Sequence, residues 1–205
     1  MYSPKSFIET NQKVLLQIMQ DNAFAMIVTT DAEAKPVSTS LPFLIEQRNE
    51  KIILQAHFSK ANPQWKHLEK NTSILIIFQG PHCYVSPTWY KKPGVPTWDY
   101  VTVHCYGSAK ILGKEKTAEL IENLSDKYEA KQEKPWQAKN NYSSKMLNAI
   151  VGFEISVQEI QGKVKIGQNK SDEDLQGVME ALQNSDKEHE KTIAKLIKKY
   201  LISKD

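Results

Sequence analysis

Three observations predict a mainly β, α+β fold: many short alternating stretches, intermittent helical segments without regular strand-helix alternation, and two capped amphipathic segments closing the chain. A doubly wound sheet requires strands that alternate with helices, so the pattern points to an antiparallel barrel with helices around it. The 205 residues can bury one sizeable core, and 40% hydrophobic with 25% charged residues is ordinary for a globular protein.

The first element is a short amphipathic helix. After Asn11, QKVLLQIMQDN spaces Val14, Leu15, Ile18 and Met19 along one face, and Asn11 and Asn22 suit its ends. From Phe24 the period becomes that of strands: FAMIVTT, PVSTSLPFLIE, a QRNE turn and KIILQAHF. Asn62-Pro63 reads as an N-cap followed by proline at the first helical position, so NPQWKHLEK is expected to be a short helix. TSILIIFQG is nearly unbroken in apolar character, as in a strand covered on both sides. A separate strand at HCYVS, a proline-rich loop from Pro87 to Pro96 and a long strand WDYVTVHCYGSAKIL follow. Thr117, Ile121, Leu124 and Tyr128 mark a helix from about Lys114, and KQEKPWQAKNNYSSK reads as a polar loop. VGFEISV is a strand, with GKVKIGQNK as the second arm of a hairpin turning at Gln161-Gly162. Ser171 to Asp174 and Ser185 to Glu188 match capping patterns for the two last helices. The sequence thus divides into a barrel domain, 1-170, and a C-terminal helical extension, 171-205, packed on it.

A net charge of +3 is too small to mark a nucleic-acid binder by electrostatics alone. There is no signal-peptide pattern and no apolar run near the ~20 residues of a membrane span, so no membrane association and a cytoplasmic location are expected. Two cysteines cannot build a disulfide framework and are expected as free thiols.

The stretch 80-107 gathers six of the eighteen aromatics, both cysteines and two of the five histidines. His82-Cys83 and His104-Cys105 offer zinc-ligand types, but neighbours on a strand point to opposite faces, so no metal site is expected. Lys91 and Lys92 beside Trp89, Tyr90 and Trp98 describe a nucleic-acid platform only weakly. The lysines near the end of the last helix are equally what a helix C-terminus favours. Nucleophile elbow, His-Glu-x-x-His pair and Gly-rich phosphate loop are all missing, and no catalytic residue is assigned. A bound phosphate would have to be held by side chains such as Ser59 and Lys60 near Asn62.

HFSKANPQW, GPHCYVSPTWY, VPTWDYVTVHCYG and KIGQNK occur in that order. Together they closely resemble the PaiB family of FMN-binding negative transcriptional regulators, over most of the chain from MYSPKSF to about Lys170. The resemblance implies an FMN-binding split β-barrel with peripheral helices, usually a homodimer, with FMN as cofactor and DNA as a partner. It also implies site residues. Ser59, Lys60 and Asn62 would serve the phosphate end, and Thr39, Ser40 and Leu41 the flavin. Gln79, His82 and Trp98 would meet the ring, while Lys165, Gln168 and Asn169 close the site. Trp65 and Trp89 fit the core equally well. A flavin-dependent oxidoreductase is the alternative reading. The sequence departs from the family pattern at Asp99, where Asn is usual, at Gly167, where Ser is usual, and at Lys60 and Lys170, where Arg is usual. Lysine keeps the charge but lacks the bidentate fork of arginine.

Overall fold

The computed structural model describes residues 1–70 and 73–202. Its strands are β1 (Ile8–Glu9), β2 (Phe24–Thr30), β3 (Pro36–Pro42), β4 (Leu44–Arg48), β5 (Lys51–Ser59), β6 (Ile74–Val85), β7 (Thr97–Ile111) and β8 (Ile150–Lys165). The helices are α1 (Gln12–Asp21), α2 (Lys114–Glu129), α3 (Ala138–Asn141), α4 (Ser144–Asn148), α5 (Asp172–Gln183) and α6 (Glu188–Ile197). The strands follow the order β3-β2-β6-β7-β8-β5-β4, with β1 on β8. This path is open, so the sheet is a split barrel rather than a closed one. The registered pairs β2–β3, β2–β6, β4–β5, β5–β8 and β1–β8 are antiparallel.

Several local expectations are corrected. PVSTSLPFLIE breaks into β3 and β4 after Pro42, where Phe43 turns fully into the core. The turn that follows narrows to Asn49 and Glu50, both at positive φ, and a two-residue loop of that kind matches the twist of the strands it joins. TSILIIFQG and HCYVS are one continuous strand, β6, whose residues alternate between buried and more exposed positions along much of its length. The segment expected as a loop after α2 contains two short helices, α3 and α4, the second capped by Ser143.

A further correction concerns Gly162. No hairpin turns there, because β8 runs straight through it. Gly162 pairs with Glu9, and a Cβ at this position would collide with the Leu15 side chain and lie 2.8 Å from the Glu9 carbonyl oxygen. The glycine therefore marks a close backbone approach, which sequence alone does not distinguish from a turn. At the C-terminal pair, Ser171 Oγ accepts from Asp174 N at 3.3 Å as a cap should. Ser185 instead accepts from Lys187 N at 3.1 Å, and α6 begins after an uncapped Lys187.

The chain forms two compact units, each made of separated segments. One holds Met1–Asp21, Gln79–Val103 and Gln161–Asp205, and the other Asn22–Phe78 and His104–Ile160. β6, β7 and β8 contribute residues to both. In the first unit, Val85, Val101, Val164 and Ile166 on the strands pack with Leu175, Val178 and Leu182 of α5 and Ile193 and Ile197 of α6. In the second, Phe43 meets Phe78 edge-on at 5.9 Å and Phe153 at 6.3 Å, and Phe153 stacks on Phe58 at 5.1 Å. Edge and offset contacts of this kind add to the burial of the rings.

Candidate functional site

In the second unit, the chain leaving β5 turns through Ser59 and Lys60 into a 3₁₀ helix, Pro63–His67. Asn62 caps it, its Oδ1 accepting from Gln64 N at 3.0 Å while its Nδ2 donates to Thr39 Oγ1 at 3.0 Å. Thr39 in turn donates to Gln64 Oε1 at 2.6 Å. Gln64 is fully buried, and its Nε2 donates to the Val37 carbonyl at 3.0 Å, to Thr29 Oγ1 at 3.1 Å and to the Ile27 carbonyl at 3.3 Å. A buried amide survives only when satisfied in this way. The network welds the 3₁₀ helix to β2 and β3.

The backbone of Lys60 is pinned by that scaffold. Its N–H donates to the Ala149 carbonyl at 2.8 Å, and its carbonyl accepts from Trp65 Nε1 at 3.2 Å. Ser59 and Lys60 are exposed side chains on this fixed corner, Ser40 is exposed on β3, and Leu41 is buried. Ser59 Oγ accepts from Ala61 N at 3.4 Å, and an exposed ammonium and hydroxyl on fixed backbone supply the kind of donors a phosphate requires.

In the first unit, a second group of predicted residues converges. Lys165 Nζ donates to Thr97 Oγ1 at 2.6 Å and to the Trp98 carbonyl, and lies 3.5 Å from Asp99 Oδ1. Asp99 is only 3% exposed, and burial pushes its carboxyl up to about 6 against the opposing pull of the Lys165 ammonium. A pocket of about 140 Å³ opens here, lined by Tyr90, Asp99, Lys165, Asn169 and Lys170 among others. Lys170 Nζ sits 4.1 Å from the centre of the Tyr90 ring. Gln168 closes the end of β8, its Oε1 accepting from Ile166 N at 2.9 Å and its Nε2 donating to the Val164 carbonyl at 2.5 Å. Gly167, at φ +91°, occupies a conformation that a side chain rarely adopts, and an added Cβ would meet Leu175 at 2.8 Å.

The remaining ring candidates also lie in this unit. His82 and Trp98 face each other at 6.3 Å, with Trp98 55% exposed, and Gln79 Nε2 donates to the Val101 carbonyl at 3.3 Å. Trp89 is half-buried against the core of α5 and α6. As expected from strand alternation, Cys83 and Cys105 are buried free thiols while His82 is exposed. Burial pushes both thiols up to about 12, far from reactivity at neutral pH.

Residues 1–159 match the model of the family described as "Putative FMN-binding domain". The chain belongs to this FMN-binding family. Its cofactor is therefore FMN, and the resemblance to the PaiB family drawn from the four motifs is upheld. "Protease synthase and sporulation protein PAI 2" of Bacillus subtilis (strain 168) is 38% identical over 203 residues, which cover 96% of both chains. Among solved structures, the flavocytochrome Anf3 from Azotobacter vinelandii superposes with a TM-score of 0.64 at 17% identity, over 84% of this chain and 77% of that one. The FAD and heme binding protein from Mycobacterium smegmatis gives 0.63 at 16% identity, over 82% and 78%. At these identities the two structures establish a shared fold.

For an FMN-family chain, Thr39 and Asn62 turn out to be committed to one another and to Gln64, so they hold the corner that carries Ser59 and Lys60. Sequence reasoning missed Gln64 altogether: a glutamine in a short polar helix carries no sign that it will be buried. It flagged Asp99 only as a departure. A signal was present, because alternation along β7 puts Asp99 on the same face as the buried Val101, Val103 and Cys105.

Proposed function

We propose that this protein is an FMN-binding homodimer that acts as a negative regulator of gene expression. The observation that carries the regulatory reading is the end-to-end similarity to a relative named for protease synthesis and sporulation. FMN, when bound, supplies a redox-active ring and a phosphate. On this reading Lys60 and Ser59 hold the phosphate, with Thr39, Asn62 and Gln64 fixing their position. Ser40 and Leu41 present β3 to the flavin, while Gln79, His82, Trp98, Lys165, Gln168 and Asn169 make up a candidate group of their own in the first unit. A dimer is supported by an apolar row facing outward on β2, where Phe24 is 69% and Met26 38% exposed. Among the described residues no helix is long and apolar enough to cross a membrane, consistent with a proposed cytoplasmic location.

The reading is tested on the purified protein in three steps. It takes up one FMN per chain with a flavin absorption spectrum, scatters light as a dimer, and retards a DNA fragment from its own promoter region with strong salt dependence. A monomer, or DNA binding no tighter than that of an unrelated basic protein, contradicts it. A flavin-dependent oxidoreductase is the second reading, favoured by Asp99, a buried carboxyl that changes protonation near pH 6 on a pocket wall. Catalytic turnover of NADH or NADPH without DNA retardation would establish that reading instead.

A further inference from the structure

The second unit holds a pocket that the flavin reading does not use. It has a volume of about 230 Å³, with Pro42, Ile121 and Leu124 among its apolar walls. Three aromatic rings converge on it: Tyr128 from the end of α2, Trp136 from the segment after it, and Tyr142 beyond α3. Trp136 and Tyr142 stand nearly perpendicular, 77° apart with centroids at 6.3 Å, and form two walls of a corner. Trp136 is 41% and Tyr128 50% exposed, unusual for large rings with no structural task.

The polar groups on this pocket are as selective as the rings. Glu129 is its one lining carboxylate, held in place by the Trp136 backbone N–H, which donates to Glu129 Oε2 at 2.9 Å. No lysine or arginine lines it. His57 also lines it, and its Nδ1 is buried without a hydrogen-bond partner. Burial lowers the His57 pKa, so the ring is neutral at pH 7 and the pocket carries one net negative charge. The faces of these rings already attract ammonium groups, since Lys127 Nζ lies 5.4 Å from the centre of Tyr128. Ring faces carry a negative quadrupole, and perpendicular rings with one carboxylate form an aromatic cage for an organic ammonium.

We propose that Tyr128, Trp136, Tyr142 and Glu129 form a binding site for a small organic cation, an alkylammonium group. A neutral planar molecule would stack on the rings but would leave Glu129 uncompensated.

The FMN-loaded protein is titrated with tetramethylammonium, with n-butylammonium and with the neutral, similarly sized 2,2-dimethylpropan-1-ol, and binding is read by saturation-transfer NMR from the probe's methyl protons. Both cations are expected to bind saturably in the millimolar range, and the alcohol at least about tenfold more weakly. Trp136→Ala and Glu129→Gln should each weaken the cations by about tenfold while leaving FMN content and melting temperature unchanged. Tyr142→Phe, which keeps the ring, should leave them bound. Should Trp136→Ala disturb folding, Glu129→Gln and the cation-to-alcohol ratio in the wild type still decide the matter. Equal binding of alcohol and cations, no saturable binding at 20 mM probe, or unchanged affinity in Glu129→Gln overturns the proposal.

Discussion

Two buried polar clusters in this molecule are built on opposite principles. Around Gln64 amide, hydroxyl and carbonyl groups are hydrogen-bonded to one another, with His67 Nδ1 joined at the edge through Thr29 Oγ1 at 3.2 Å, whereas around Asp99 a carboxylate and an ammonium share an apolar neighbourhood at 3.5 Å. A satisfied neutral network costs little to bury and does not respond to pH. A buried ion pair loses hydration on both partners, and its carboxyl retains a tendency to take up a proton. The first cluster is suited to hold a corner rigid, and the second to change its charge.

The largest expected effect tests the rigid cluster. Gln64→Leu leaves the Val37 and Ile27 carbonyls without this donor and removes the acceptor of Thr39, and should cost about 3 to 4 kcal/mol in urea unfolding. A loss below about 1 kcal/mol would mean that the network is ornamental and that the corner is held by Asn62 alone.

The charged cluster should be revealed by pH. The Asp99 carboxyl sits at about 6 in the folded protein against an ordinary 3.8, so between these values the folded state binds the proton more tightly than the unfolded one. Its contribution is therefore greatest below about pH 4 and falls as pH rises through 6, by about 3 kcal/mol in total. Asp99→Asn should remove that slope, so the stability of the mutant minus that of the wild type rises from pH 4 to pH 7. Parallel stability curves would show that Lys165 fully compensates the charge.

The smallest effect concerns the helices whose caps looked alike in the sequence. Ser171→Ala removes a bond to Asp174 N and should cost about 1 kcal/mol. Ser185→Ala removes no bond to a helix N-terminal N–H and should cost less, although Ser185 accepts from Lys187 N and bonds the Glu190 side chain. Equal losses would erase the distinction the structure draws between them.

The mainly β fold, α1, α2 and the C-terminal pair were all legible, because a period of 2 or 3.6 is imposed by which face meets a core. What escaped were choices made by long-range neighbours. Gly162 mimics a turn but admits Leu15 and Glu9; HCYVS looks separate from TSILIIFQG because Gly80 and Pro81 interrupt the apolar pattern while β6 runs on. The polar composition of 131-145 hid the aromatic corner of Trp136 and Tyr142, since rings spaced six apart form a site only when the chain turns between them. At the corner that carries Ser59 and Lys60 the residue types were readable from the motifs. Their division of labour was not, because bonds from Asn62 and Thr39 to Gln64 depend on β3 lying alongside the 3₁₀ helix.

The central claim, that this rigid corner exists to present Lys60 to the FMN phosphate, is tested most directly by FMN titration of Lys60→Ala followed by flavin fluorescence. Lys60 is exposed and contributes only its backbone to the scaffold, so the mutant should melt as the wild type does yet bind FMN at least about tenfold more weakly. Unchanged FMN affinity in a folded Lys60→Ala protein would contradict the account.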